Sequence, residues 1–119
     1  MSHTHEDCEF AARAIRLNDD TRKGLRKQLQ AGLWAAVGRN DSETVRACMF
    51  ALTHTRIFNR LQNYVETVAF PVFDAQCATG DVGADGDFLQ WLLDWFSNGG
   101  WEEIIAFLKE LLPIIIDLF

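Results

Sequence analysis

The side chains of this chain best suited to binding a metal ion lie at its N-terminus. His3, His5 and Cys8 are close together there, with Glu6 and Glu9 between and beside them. The three-residue spacing of His5 and Cys8 would place an imidazole and a thiol on one helix face, where both reach a Zn²⁺ ion. A polar stretch at a chain end is more commonly a frayed tail. We therefore expect no metal site and no cofactor, and metal binding by this cluster stays an open alternative.

A histidine and a cysteine in the middle of the chain are the next candidates for chemistry. Cys48 and His54 are six residues apart, about 120° around a helix, which is too far for the ion pair that activates a thiolate. Apolar residues, among them Phe50 and Phe58, share the helix face of His54. This setting predicts a core imidazole satisfied by one hydrogen bond. We expect no catalytic residue in the chain.

A glycine- and aspartate-rich segment follows the N-terminal half. When Asp81 is aligned with the first position of a calcium-binding loop, Leu92 falls where the bidentate glutamate is required. The segment also lacks the lysine of a phosphate-binding loop. It predicts an acidic linker over 74–86 that ends in a helix cap at Asp85 or Asp87.

Hydrophobic periodicity predicts helices throughout the remaining chain and no strand. A short first helix is predicted to begin near Thr4 and to end at the polar run 18–20. A second helix continues from that run to about Val37. These helices form the first part of an N-terminal helical region over 5–73.

The third predicted helix is long. Asn40 and Glu43 form a capping pair at its start, and the helix is expected to reach about Ala69, before Pro71. Its apolar face changes sides near 53–55. The helix must therefore bend there or be contacted from two sides.

The C-terminal segment is the most apolar part of the chain. Residues 88–119 contain 20 apolar side chains, and Asn98-Gly99-Gly100 divides them into two helices, which predicts a helical hairpin over 87–119. One polar stripe runs past Pro113, so the last helix is predicted to continue through this proline, where water can replace the missing hydrogen bond.

This hairpin carries the predicted interaction surface. The apolar arc of its last helix covers about 240°, whereas a core-facing helix needs about 100°. The hairpin is therefore expected to pack in the core or in an interface between copies. Three of the four tryptophans lie in it, and aromatic side chains dominate interface energetics. The expected interaction surface consists of Trp91, Trp95, Trp101, Ile105, Leu108, Leu112, Ile115 and Phe119.

Charge is divided unevenly along the chain. Residues 1–80 contain 10 basic and 9 acidic side chains, whereas residues 81–119 contain 1 basic and 8 acidic ones. An acidic apolar hairpin disfavours binding to anionic lipid. The basic cluster Arg22, Lys23, Arg26 and Lys27 is a candidate phosphate-binding stripe, but the acidic net charge of −6 and the absence of interleaved aromatic residues disfavour nucleic acid.

Length and cysteine content bound the class of protein. The 119 residues suit one domain with a real core. The polar start predicts no cleaved signal, and no uncharged apolar run reaches the ~18 residues of a membrane span. Three widely spaced cysteines favour reduced thiols, and hence the cytoplasm.

These observations predict an all-α protein, a small bundle of four to five helices in a single domain over 1–119 that ends in the apolar hairpin. We expect a non-enzymatic structural, assembly or adaptor protein that acts through apolar helix surfaces, as a homo-oligomer or with a protein partner. One alternative is a membrane-engaging protein of the virion or lysis type, whose terminal helix inserts. Another is a small helical ligand- or metal-binding protein or enzyme.

The hairpin leads to a prediction about assembly. Because its apolar arc exceeds what one core contact covers, the protein is expected to be at least a dimer through residues 88–119. Light scattering at micromolar concentration measures this directly. A mass equal to one 13.5 kDa chain would contradict it.

Overall fold

The fold is entirely helical in the part of the chain that the structure describes. This structure is a computed structural model that describes residues 5–80 and 88–118, with side chains from 14 to 80 and from 88 to 113. The predicted all-α class is confirmed, and the described ranges contain no strand. Their helices are α1 (His5–Gly38), α2 (Ser42–Thr53), α3 (Thr55–Thr79), α4 (Phe88–Trp95) and α5 (Trp101–Leu118).

Helix α1 runs without a break through residues 18–20, so the prediction of two helices here was wrong. Thr21 is fully buried, and its hydroxyl donates to the Leu17 carbonyl at 2.8 Å, which satisfies the hydroxyl inside the helix. Leu25 and Leu29 extend the same buried face. Packing of this face outweighs the low helix propensity of the Asn-Asp-Asp run.

The predicted long third helix is two helices. His54 has extended backbone angles (φ −118°, ψ 109°) and separates α2 from α3, which confirms the predicted bend. The N-cap of α2 is Asp41 rather than Asn40, since the Asp41 carboxylate accepts from the backbone N–H and the hydroxyl of Thr44 at 3.2 and 2.6 Å. Asn40 instead makes the turn after α1, with φ 57°.

Helix α3 continues past Pro71 to Thr79, so the predicted end at Ala69 and the predicted loop from Asp74 were both wrong over this stretch. Pro71 is exposed, and the backbone hydrogen bond that it lacks lies on the solvent side. Phe73 packs edge-on against Phe88 at 4.9 Å between ring centroids. Contact with α4 thus holds the last turns of α3. The rest of the predicted linker, with the proposed caps Asp85 and Asp87, lies outside the described residues.

The predicted break between the last two helices is confirmed. A wide turn over Phe96–Gly100 joins α4 to α5, and Asn98 (ψ 33°) and Gly99 (φ 104°) leave helical geometry there. A positive φ is readily adopted by glycine. Helix α5 continues through Pro113 to Leu118, as predicted.

One hydrophobic core joins all five helices. Its fully buried side chains include Leu25, Leu29, Leu61, Leu92 and Ile104. Ring contacts add to it, since Tyr64 of α3 and Phe107 of α5 stack at 4.1 Å with an angle of 2° between ring planes. Both helices of the C-terminal hairpin therefore pack on the N-terminal helices. Within the described residues, no helix combines the length and apolar character needed to cross a bilayer.

Two glycines on α1 let this hairpin approach closely. A Cβ atom on Gly24 would lie 3.0 Å from Leu92 of α4, and a Cβ atom on Gly32 would overlap the indole ring of Trp101 at the start of α5. The two positions are eight residues apart, about 12 Å along the helix and about 80° around it, so α4 and α5 contact neighbouring parts of the α1 surface. The two glycines fix where α4 and α5 meet α1.

The contact at Gly32 leads to a prediction about stability. Gly32→Ala is expected to destabilise the fold by about 1–3 kcal/mol, because the methyl group displaces the Trp101 ring. This loss outweighs the ~1 kcal/mol by which alanine normally stabilises a helix relative to glycine. Urea unfolding followed by circular dichroism gives the free energy of unfolding.

Gly38→Ala is the matched control, since no atom lies within 4 Å of its added Cβ. This variant should be as stable as the wild type or slightly more so. Equal stabilities of the two variants would show that the indole ring does not rest on Gly32.

Candidate functional site

Three of the five large apolar side chains that are exposed among the described residues lie near the end of α1 and on α2. Trp34 is 71% exposed, Met49 50% and Val37 47%. Trp34 and Val37 are one turn apart on α1, and Met49 lies on α2. Large apolar groups grouped on a surface mark contact sites more often than scattered ones do.

Val37 and Met49 line an open groove of about 650 Å³ between the end of α1 and the outer face of α2. The inner face of α2, which includes Ala47 and Cys48, is buried in the core, so its outer face is left without a covering helix. We call this feature the α1–α2 groove. Its lining residues are Ala36, Val37, Asn40, Ser42, Val45, Arg46, Met49, Phe50, Thr53 and His54.

His54 closes one end of the groove and has a structural role there. Its backbone N–H donates to the Phe50 carbonyl at 3.0 Å, and its ring Nδ1 lies 3.3 Å from the same oxygen. The Thr53 hydroxyl donates to the Met49 carbonyl at 2.7 Å and lies 3.0 Å from Nδ1. Because the Thr53 hydroxyl hydrogen is directed to the Met49 carbonyl, the hydroxyl oxygen can only accept from the histidine ring. The Phe50 carbonyl is also an acceptor, so Nδ1 must carry the proton. The Thr53–His54 pair is therefore not a nucleophile and its base. The sequence predicted an imidazole in the core, whereas the His54 side chain is half-buried.

Cys48 is unsuited to nucleophilic chemistry. The residue is fully buried on the inner face of α2. This burial, with a smaller contribution from the negative charge of Asp41, raises the pKa of the thiol to about 11. The thiolate, which is the reactive form, is therefore scarce at neutral pH.

Basic side chains surround the groove and the adjoining surface. Arg46 lines the groove itself. Arg22 and Arg26 of α1 lie over the ring of Phe58, near the start of α3, at 5.4 and 5.3 Å from the ring centroid. Arg22 also donates a hydrogen bond to the Asn59 side chain at 3.2 Å. Two members of the predicted basic cluster thus make cation–π contacts inside the protein.

The three tryptophans of the predicted interaction surface contact their own chain. The Trp91 indole N–H donates to the Gln76 side chain at 2.7 Å. The Trp101 ring rests on Gly32, and the Trp95 ring lies where a Cβ of Gly100 would be 2.6 Å from it. All three side chains are half-buried.

The remaining members of that surface are divided between the core and the undescribed end of the chain. Leu108 and Leu112 are buried in the core. Ile105 is half-buried and packs against the core. The side chains of Ile115 and Phe119 lie outside the described residues. So do those of the His3, His5 and Cys8 cluster; among the side chains that are described, no group of three His, Cys, Asp or Glu residues could hold a metal ion.

Sequence reasoning missed the exposed tryptophan. Trp34 lies about 160° around α1 from the fully buried Ala36, on the polar side of the helix. A large aromatic residue on that side is the signal that could have identified it. Met49 carries no such signal, because it lies near Val45 and Cys48 on the helical wheel, on the side of the helix that was predicted to be buried.

The position of Cys48 leads to a prediction about its reactivity. At about pH 8, iodoacetamide should alkylate Cys48 at least ~100-fold more slowly in the folded protein than in urea, since burial suppresses the thiolate and blocks access. Mass spectrometry of the tryptic peptides measures the rate. Half-buried Cys77, followed in the same samples, is the internal comparison. Equal rates for Cys48 in the folded and unfolded protein would contradict the buried position.

Comparisons with known proteins add no identity to this geometry. No protein-family model matches the chain. No curated protein and no solved structure matches it either. The α1–α2 groove is therefore the feature of the molecule that points to a function.

Proposed function

We propose that this protein is a non-enzymatic adaptor that holds an amphipathic helix of a protein partner in the α1–α2 groove. The observation that carries the proposal is that the exposed side chains of Val37 and Met49 line one open groove, with exposed Trp34 one turn before Val37 on α1. Helices commonly dock apolar anchors, spaced three or four residues apart, into grooves of this kind. The proposal places the protein in the cytoplasm, where thiols such as Cys48 and Cys77 stay reduced.

The shape of the groove favours a helix over a small molecule. A volume of about 650 Å³ would suit either one. Small-molecule sites, however, bury most of the surface of their ligand, and this groove is open along its length. A helix can leave its outer half in solvent and still cover the apolar lining.

The side chains around the groove are of the kinds that anchor interfaces. Tryptophan is among the residues most enriched at interface hot spots. Met49 has a flexible thioether side chain that adapts to different partner surfaces. Arg46 supplies a polar edge, which is typical of the rim around an apolar interface.

In this proposal the C-terminal hairpin supports the core and does not itself form the interaction surface. Its tryptophans and its buried residues Leu108 and Leu112 support the core, and the core holds the inner face of α2. The hairpin then acts as a scaffold that leaves the outer face of α2 exposed. Self-association remains one of the outcomes of the test below.

The test is a selection of helical peptides on the folded protein. A displayed library of amphipathic peptides of about 14 residues, four helical turns, is selected on the wild type, and fluorescence anisotropy gives the Kd of each enriched peptide. Met49→Glu should weaken binding by about tenfold or more, because it places a carboxylate against an apolar contact. Val72→Glu is the matched control, since Val72 is also exposed but lies on α3, outside the groove lining.

Enriched peptides that bind Met49→Glu as tightly as they bind the wild type would overturn the proposal, as would a selection with no enrichment. Light scattering of the same variants tests the second-copy alternative. If the wild type is a dimer that Met49→Glu converts to a monomer, the groove binds another copy and the adaptor role is wrong.

A further inference from the structure

We infer that the partner helix is acidic: its apolar face is flanked by aspartate or glutamate side chains. This inference rests on the proposed function and specifies the chemistry of the partner. It is carried by the charge that surrounds the groove and by the pairing of the charged side chains there. The shape of the groove alone does not require it.

The segment of the chain that forms the groove is basic, although the whole chain is acidic. Residues 22–60, which include the groove-forming part of α1, all of α2 and the start of α3, contain eight basic and two acidic side chains, a net charge of +6. The remaining residues contain three basic and fifteen acidic ones, a net charge of −12. A chain with a net charge of −6 therefore builds its apolar groove from a basic segment.

One of the two acidic side chains of this segment is already engaged. Asp41 accepts two hydrogen bonds from Thr44 at the start of α2, and one of its oxygens lies 3.8 Å from Arg39. These hydrogen bonds from Thr44 keep the pKa of Asp41 below its usual value. Its charge is thus neutralised locally by a helix N-terminus and an arginine. Glu43, the other acidic residue, is exposed in the first turn of α2.

Three exposed cations lie on the two helices that form the groove. Arg46 lines the groove. Lys27 and Lys23 lie 7 and 11 residues before Trp34 on α1, close to two and three turns, so they continue its side of the helix. With the residues that the structure describes, none of the three forms an ion pair. Arg22 and Arg26, by contrast, lie over the Phe58 ring.

This arrangement disfavours the other occupants. Two copies that paired through the same groove around a two-fold axis would bring their basic segments together, and like charges at an interface oppose association. A nucleic acid would use the cations but leave the apolar groove empty. An anionic lipid surface is flat, whereas Val37 and Met49 line a concave groove. An acidic amphipathic helix satisfies both the apolar lining and the cations.

The experiment uses the tightest peptide from the selection above, synthesised in three forms. The apolar positions stay the same, and the flanking polar positions are all Glu, all Gln or all Lys. Anisotropy should give the Glu form about tenfold tighter binding than the Gln form, since each exposed ion pair contributes only a small factor, and the Lys form should bind most weakly. The advantage of the Glu form should shrink as salt rises from about 0.05 to about 0.5 M.

Charge reversals locate the effect. Lys27→Glu and Arg46→Glu should each reduce the preference for the Glu form. Arg16→Glu makes the same change on α1 but lies 18 residues before Trp34, about 27 Å along the helix, and should leave the preference intact. All three substituted side chains are exposed, so these variants should fold.

The outcomes separate the two proposals. Equal binding of the Glu and Gln forms would overturn the acidic partner and leave the adaptor role standing. Binding of no form would remove both. Flotation with phosphatidylserine vesicles is run in parallel. Vesicle binding that Met49→Glu abolishes, with no preference for the Glu peptide, would overturn the inference in favour of lipid.

Discussion

The contact of the C-terminal hairpin with α1 depends on the absence of a side chain at two positions. Gly24 and Gly32 allow Leu92 and the Trp101 ring to lie against the backbone of α1. The turn Phe96–Gly100 spans the gap between these two contacts, so the positions of α4 and α5 along α1 are fixed together. Any larger residue would separate the helices by the width of its side chain. With α4 and α5 so placed, the inner face of α2 is covered and its outer face is left exposed.

Those parts of the fold that depend on local chemistry could be predicted from the sequence. The turn at Asn98-Gly99, the bend near His54 and the continuation of α5 through Pro113 all follow from one stretch of chain and its own polar and apolar faces. Each is decided within a few residues by backbone preference or by the side that meets water. No knowledge of the neighbouring helices was needed for them.

Other features are decided by contacts between distant residues. Asn18 to Asp20 stays helical because the face next to it, from Leu17 to Leu29, is held in the core. The chain after Pro71 stays helical because Phe73 meets Phe88. The exposed surface depends on such contacts too. The hairpin is the most apolar part of the chain, but its neighbours cover many of its side chains, and Trp34 stands out only once the packed face of α1 is known.

The connections of α2 have a consequence for the speed of binding. Three residues join it to α1, and His54 alone joins it to α3, so α2 has little freedom to swing away from its neighbours. The α1–α2 groove is therefore preformed, and the proposed partner helix would not have to wait for an opening motion. Its association would then be limited by diffusion and orientation, about 10⁵–10⁷ M⁻¹s⁻¹ for such surfaces, and attraction by the basic side chains of α1 and α2 would raise it further at low ionic strength. Differences in affinity among partners would arise mainly from how long each one stays bound.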